Sequence, residues 1–60
     1  MAYFKKGKDN RGEWRWTFYA DNGEAIAVAS EGYVREADCD HGIALVKRDA
    51  PNAEVRRAAA

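Results

Sequence analysis

The sequence lacks most of what reinforces a small fold. Its only cysteine is Cys39, so no disulfide can close within one chain. Its only histidine is His41, so no Cys/His set exists for a structural zinc. Neither sign of charge is in excess, since ten basic residues meet ten acidic ones. That balance argues against a general binder of nucleic acid or membrane surfaces. No segment approaches the roughly 20 apolar residues of a membrane span, and no apolar run of signal-peptide length stands at the start. A lone thiol without a targeting segment points to a cytoplasmic protein. At 60 residues the chain reads as one domain over 1–57, with 58–60 as a frayed tail. Such a chain buries roughly 60% of the surface its unfolded form exposes. With disulfide and zinc excluded, oligomerisation is the reinforcement left.

What is present is turn chemistry and aromatic residues. Tyr3 to Lys6 reads as a short first strand, and Gly7 to Gly12 as a loop of turn formers. Glu13 to Ala20 carries Trp14, Trp16, Thr17, Phe18 and Tyr19, which suit a pleated surface. Asn22-Gly23 between two apolar runs predicts a two-residue type I′ hairpin turn, with Ala25 to Ser30 as the return strand. That turn would place Ala20 opposite Ala25, Tyr19 opposite Ile26, Phe18 opposite Ala27, Thr17 opposite Val28 and Trp16 opposite Ala29. Trp14, Trp16, Phe18 and the alanines then share a core face. Arg15, Thr17, Tyr19, Ile26 and Val28 share the other. A slip of one residue would exchange the two.

Glu31-Gly32-Tyr33 breaks the strand. The spacing predicts a helix over 36–49, with Cys39, Gly42, Ile43, Val46 and Ala50 on one stripe. Gly42 costs up to about 1 kcal/mol of helix propensity, which close contact with the sheet would offset. Glu36, Asp38 and Asp40 lie early and Lys47 and Arg48 late, as the helix dipole favours. Pro51 ends the helix. Ala53 to Arg57 reads as a last strand with Val55 inward. The fold class is α+β: a β3-α-β unit, an antiparallel sheet with one helix on one face.

Three stretches taken together carry a family resemblance. They are Gly-Glu-Trp-Arg-Trp at 12–16, Ala-x-Asn-Gly-Glu at 20–24 and Gly-Ile-x-x-Val-Lys-x-x-Ala-Pro-x-Ala at 42–53. In this order and spacing, over about Phe4 to Val55, the chain resembles the YegP-like family. Two positions depart from the family pattern. Val34 and Arg35 stand where Ser/Thr-type residues usually precede the helix, and Lys6 stands where an apolar strand residue is common. The resemblance implies a β3-α-β unit that pairs as a homodimer, two copies forming one continuous sheet and exchanging C-terminal strands. It implies no activity, cofactor or functional residue. The candidate dimer interface is Phe4, Ala53 and Val55. Dimensions favour pairing independently: four strands at about 4.8 Å spacing make a sheet wider than one helix about 10 Å across.

Candidate chemistry is sparse. Cys39 and His41 invite a nucleophile–base reading, but two residues apart on a helix they diverge by about 200°. Asp38, Asp40 and Asp49 have no metal-selecting spacing. Trp14-Arg15-Trp16 suggests a stacking platform for single-stranded nucleic acid, yet strand alternation puts both tryptophans on the core face. Gly7-x-x-x-x-Gly12 lacks the Lys-Ser/Thr of a phosphate loop. The uneven charge, basic at both ends and acidic between, is ordinary solvated surface or head-to-tail complementarity between subunits. The expectation is a non-enzymatic, dimeric interaction or structural module without a cofactor. Its partners are itself and a protein or small ligand on the face of Arg15, Thr17, Tyr19, Ile26 and Val28. Single-stranded nucleic acid is the second reading, and a membrane is not expected.

Overall fold

The computed structural model describes residues 1–59. Three strands, β1 (Tyr3–Lys8), β2 (Trp14–Tyr19) and β3 (Ala25–Val28), form an antiparallel sheet in the order β1-β2-β3. One helix, α1 (Glu36–Asp49), follows, with a single 3-10 turn at Ala50–Asn52. The helix has the bounds that the spacing predicts.

β1 is longer than expected. Gly7 and Lys8 belong to it and pair with Arg15 and Trp14. They stay in the ladder because the next turn is tighter than its composition suggests. It spans three residues, Asn10 to Gly12, closed by the Asp9 N–H donating to the Glu13 carbonyl (2.9 Å) and the Gly12 N–H to the Asp9 carbonyl (3.0 Å). Gly12 takes φ 78°, a value glycine adopts without strain. The second hairpin repeats this build. Ala20 N–H donates to the Glu24 carbonyl, Gly23 N–H donates to the Ala20 carbonyl, and Gly23 has φ 87°.

The two-residue type I′ turn is therefore corrected. Asn22 keeps a negative φ, since glycines alone among the described residues have positive ones. Its side-chain oxygen instead accepts from the Glu24 N–H (3.1 Å). This is the three-residue loop that ends on a left-handed glycine. It pairs Ala20 with Glu24 rather than Ala25, and Tyr19 with Ala25 rather than Ile26. A β-bulge at Ile26 then absorbs the one-residue difference. Phe18 opposite Ala27 and Thr17 opposite Val28 are restored, and the Ala29 N–H reaches the Trp16 carbonyl. The two faces thus survive an error in the turn.

After Ala29 the chain loops out at Glu31-Gly32 and returns to β2. There Trp14 and Tyr33 exchange both backbone hydrogen bonds (2.6 and 2.8 Å). A Cβ on Gly32 would lie 2.8 Å from that of Glu13, so only glycine fits this return. It delivers the Tyr33 ring beneath α1.

The core is thin. Among the described residues, Trp16, Ala29 and Cys39 alone are buried, ringed by half-buried Phe4, Trp14, Phe18, Tyr33, Ile43 and Val46. Phe4 packs on Phe18 (ring centroids 4.7 Å apart) and edge-on to Trp16 (5.5 Å). Gly42 is where the helix meets the sheet: a Cβ there would stand 2.9 Å from Tyr33 Oη and 3.6 Å from Trp16 Nε1. Ala27 faces the helix side but stays exposed, because one helix does not reach it.

The structure shows what the two departures from the family pattern do. Lys6 projects from β1 to α1, where its ammonium meets Asp40 and Glu36 (2.9 Å to the latter). Helix acids supply what an apolar residue would otherwise give by burial. Arg35 occupies the N-cap with no side-chain hydrogen bond, so its carbonyl alone receives the Asp38 and Cys39 N–H groups. The expected last strand does not form within one chain. Residues 53–59 are exposed and pair with nothing in this sheet, and Val55 is 99% exposed. The tail expected at 58–60 includes Ala60, which lies outside the described residues.

Candidate functional site

The sheet presents two unfinished surfaces. The first is its outer face, opposite the helix. Outward positions of β1 and β2 meet in three ranks: Tyr3 beside Tyr19, Lys5 beside Thr17, and Gly7 beside Arg15. The two tyrosine rings stack at 5.1 Å and 23°. Thr17 and Tyr19 are half-buried, while Lys5 is exposed. Gly7 leaves a gap, since nothing lies within 4 Å of where its Cβ would be. Lys5, Gly7, Arg15, Thr17 and Tyr19 line a shallow depression of about 250 Å³, with Asp9 on its rim.

Arg15 is held in place above that gap. Its Nη2 donates to the Ala29 carbonyl (3.0 Å), and Nη1 lies 3.6 Å from Asp9 Oδ2. Asp9 in turn accepts the backbone N–H groups of Arg11 (2.9 Å) and Glu13 (3.0 Å). The Glu13 N–H, then the Arg11 N–H and Arg15, hold the Asp9 carboxyl below its ordinary 3.8. Ile26 and Val28 sit on β3 at 61% and 64% exposure. The structure thus brings Arg15, Thr17 and Tyr19 together and leaves Ile26 and Val28 at the far edge. Tyr3, Lys5 and Gly7 were missed by the sequence reading. Tyr3 and Lys5 fall inside the expected Tyr3–Lys6 strand and needed only its pairing with β2, whereas Gly7 needed the strand to run through to Lys8.

The second surface is a groove on the helix side. It runs between β1 and the C-terminal half of α1, is about 820 Å³ in volume, and is lined by Tyr3, Phe4, Phe18, Ile43, Val46 and Pro51 among others. It lies beside the edge of β1 that pairs with nothing. Of the candidate interface residues, Phe4 lines this groove, while Ala53 and Val55 stand exposed beyond the 3-10 turn.

Elsewhere the helix holds little chemistry. Cys39 is fully buried, and that burial, followed by the nearby Asp40 charge, pushes its thiol up. A buried thiol with a raised value is a poor nucleophile. His41 is exposed, on another side of the helix. Asp40 is engaged by Lys6, and Asp49 by Arg48 (2.7 and 2.9 Å). No described helix is long and apolar enough to cross a membrane.

Known proteins resemble this chain in sequence and in fold. A UPF0339 protein of Methanosarcina acetivorans is 44% identical over 55 residues, covering 92% of this chain and 93% of that protein. Another from Agrobacterium fabrum is 43% identical over 54 residues, covering 90% and 86%. The solution structure of a Haloferax volcanii protein superposes with a TM-score of 0.88 at 38% identity, covering 95% of each chain. One from Agrobacterium tumefaciens superposes with a TM-score of 0.77 at 29% identity, covering 95% of this chain and 90% of that one. The resemblance carried by the three sequence stretches therefore holds. The model of a domain of unknown function, DUF1508, matches residues 9–56, and the chain belongs to that family.

Proposed function

We propose that this chain is a non-enzymatic interaction module that works as a homodimer, with residues 53–57 of each copy laid along the β1 edge of the other. The apolar groove beside β1 carries this reading. A groove of about 820 Å³ next to an unpaired strand edge is an incomplete core, and one helix cannot close it. The complementary piece is on the same molecule: Val55 is 99% exposed in a segment that follows the 3-10 turn without pairing. An added strand would satisfy the open backbone groups of β1 and bring Val55 over Phe4 and Phe18, as in other cases of strand addition. Such exchange between identical copies gives a closed two-fold assembly.

Light scattering at micromolar concentration tests this directly. The expected mass is twice the 6.7 kDa of one chain, and Val55→Asp is expected to return it to the single-chain value. A wild-type mass of one chain across the micromolar range would reject the dimer.

A further inference from the structure

We propose that the outer face of β1 and β2 binds single-stranded nucleic acid, one base stacking on the Tyr3–Tyr19 pair and adjoining phosphates resting on Lys5 and Arg15. In the sequence, Trp14-Arg15-Trp16 suggested an aromatic platform, which strand alternation argued against. The structure turns those rings toward the helix, with Trp16 buried, and shows a different pair on the open side. Tyr3 is 46% exposed and is stacked on Tyr19. A preformed, exposed aromatic stack on a sheet accepts any base, because every base offers a π-face.

Charge distribution supports the same occupant. Overall neutrality hides a segregation across the sheet. Four acids, Glu36, Asp38, Asp40 and Asp49, lie on α1 against two bases, Lys47 and Arg48, and two of the acids already hold Lys6. The depression on the other side has Lys5 and Arg15 as its outward cations and Asp9 as the carboxylate in its lining. Asp9 is committed to two backbone N–H groups and orients Arg15. Glu24 and Asp21 lie past the tyrosines at the hairpin tip, and Asp21 pairs with the terminal ammonium (3.3 Å). Phosphates therefore belong toward Lys5 and Arg15, and the base toward the tyrosines. Gly7 adds no side chain to the rank it shares with Arg15. Successive ranks are two residues apart, about 7 Å along the strand. The three ranks thus accept a short stretch of extended strand rather than a duplex.

The test is fluorescence anisotropy of a labelled twelve-residue oligothymidylate, titrated with protein at 20 and 150 mM NaCl. Binding at the lower salt is expected, with a log–log salt slope of about −1.4 per bound chain for two neutralised phosphates. Tyr19→Ala is expected to weaken it at least about fivefold, the lower end of the effect of losing one stacked base. Lys5→Glu, at an exposed position that leaves the core untouched, should weaken it further and flatten the slope. Amide shifts on adding oligothymidylate to the wild type need no variant, and are expected at residues 3–7 and 15–19.

Three results would overturn the proposal: no binding at 20 mM NaCl with protein at 0.5 mM, shifts confined to the helix-side groove, or base-free polyphosphate binding as tightly with no effect of Tyr19→Ala. Apart from Tyr3, which also lines the groove, the face lies across the sheet from the dimer groove, so a single-chain mass in light scattering would leave this proposal standing.

Discussion

Two residues show how single side chains set the contact between helix and sheet. Gly42 has the lowest helix propensity short of proline, yet it sits mid-helix. Alanine there would gain about 1 kcal/mol of propensity but would press its Cβ to 2.9 Å from Tyr33 Oη. Overpacking costs about 1–3 kcal/mol, so Gly42→Ala should lower the melting temperature. In a Tyr33→Phe background the hydroxyl is gone and the nearest ring carbon stands at 3.4 Å. The same substitution should then be less costly, and a double-mutant cycle with no coupling would refute the packing account. Lys6 makes the second case. Hydrogen bonds to Asp40 first, then Glu36, push its ammonium up to about 12 from 10.5. Because the folded value lies above the unfolded one, its stabilisation is complete below about 10.5 and disappears as pH climbs through about 12. Denaturant melts at pH 9 and 12 should show wild type losing more stability than Lys6→Met. Equal losses would show that the triad contributes nothing.

At the level of elements, legibility followed the strength of local chemistry. The helix was readable to its ends because apolar stripe, charge gradient and Pro51 agree. The core face was readable because Trp14, Trp16 and Phe18 alternate. The turn was not, because Asn-Gly fits both a two-residue loop and the last two positions of a three-residue one. Backbone hydrogen bonds, not residue types, separate those options. Half of the outer face was legible, and the other half depended on how β1 pairs with β2, which the residues of β1 do not specify. The final strand was read from Val55, and within one chain residues 53–57 pair with neither open edge of the sheet. The helix start is the weak point of the elements. Arg35 supplies no side-chain acceptor, and a serine there would satisfy an N–H at N2 or N3. Arg35→Ser should stabilise by about 1 kcal/mol, raising the melting temperature of a domain this small by about 4–8 °C. An unchanged or lower value would mean that Arg35 has a role beyond the cap.

For the molecule as a whole, the bulge in β3 has a consequence for chain length. The strand contains one more residue than its ladder uses. Removing Ile26 would leave Ala25 opposite Tyr19, Ala27 opposite Phe18 and Ala29 within reach of Trp16, the pairs already present. A deletion inside a strand ordinarily reverses every side chain beyond it; here it would make an irregular ladder regular. A chain lacking Ile26 should still melt cooperatively. A chain lacking Thr17 should not, because β2 pairs on both sides without a spare position. If loss of Ile26 abolished the transition, the bulge would be a required kink and not slack. If the transition persists, β3 is where this fold can shorten by one residue and keep its core.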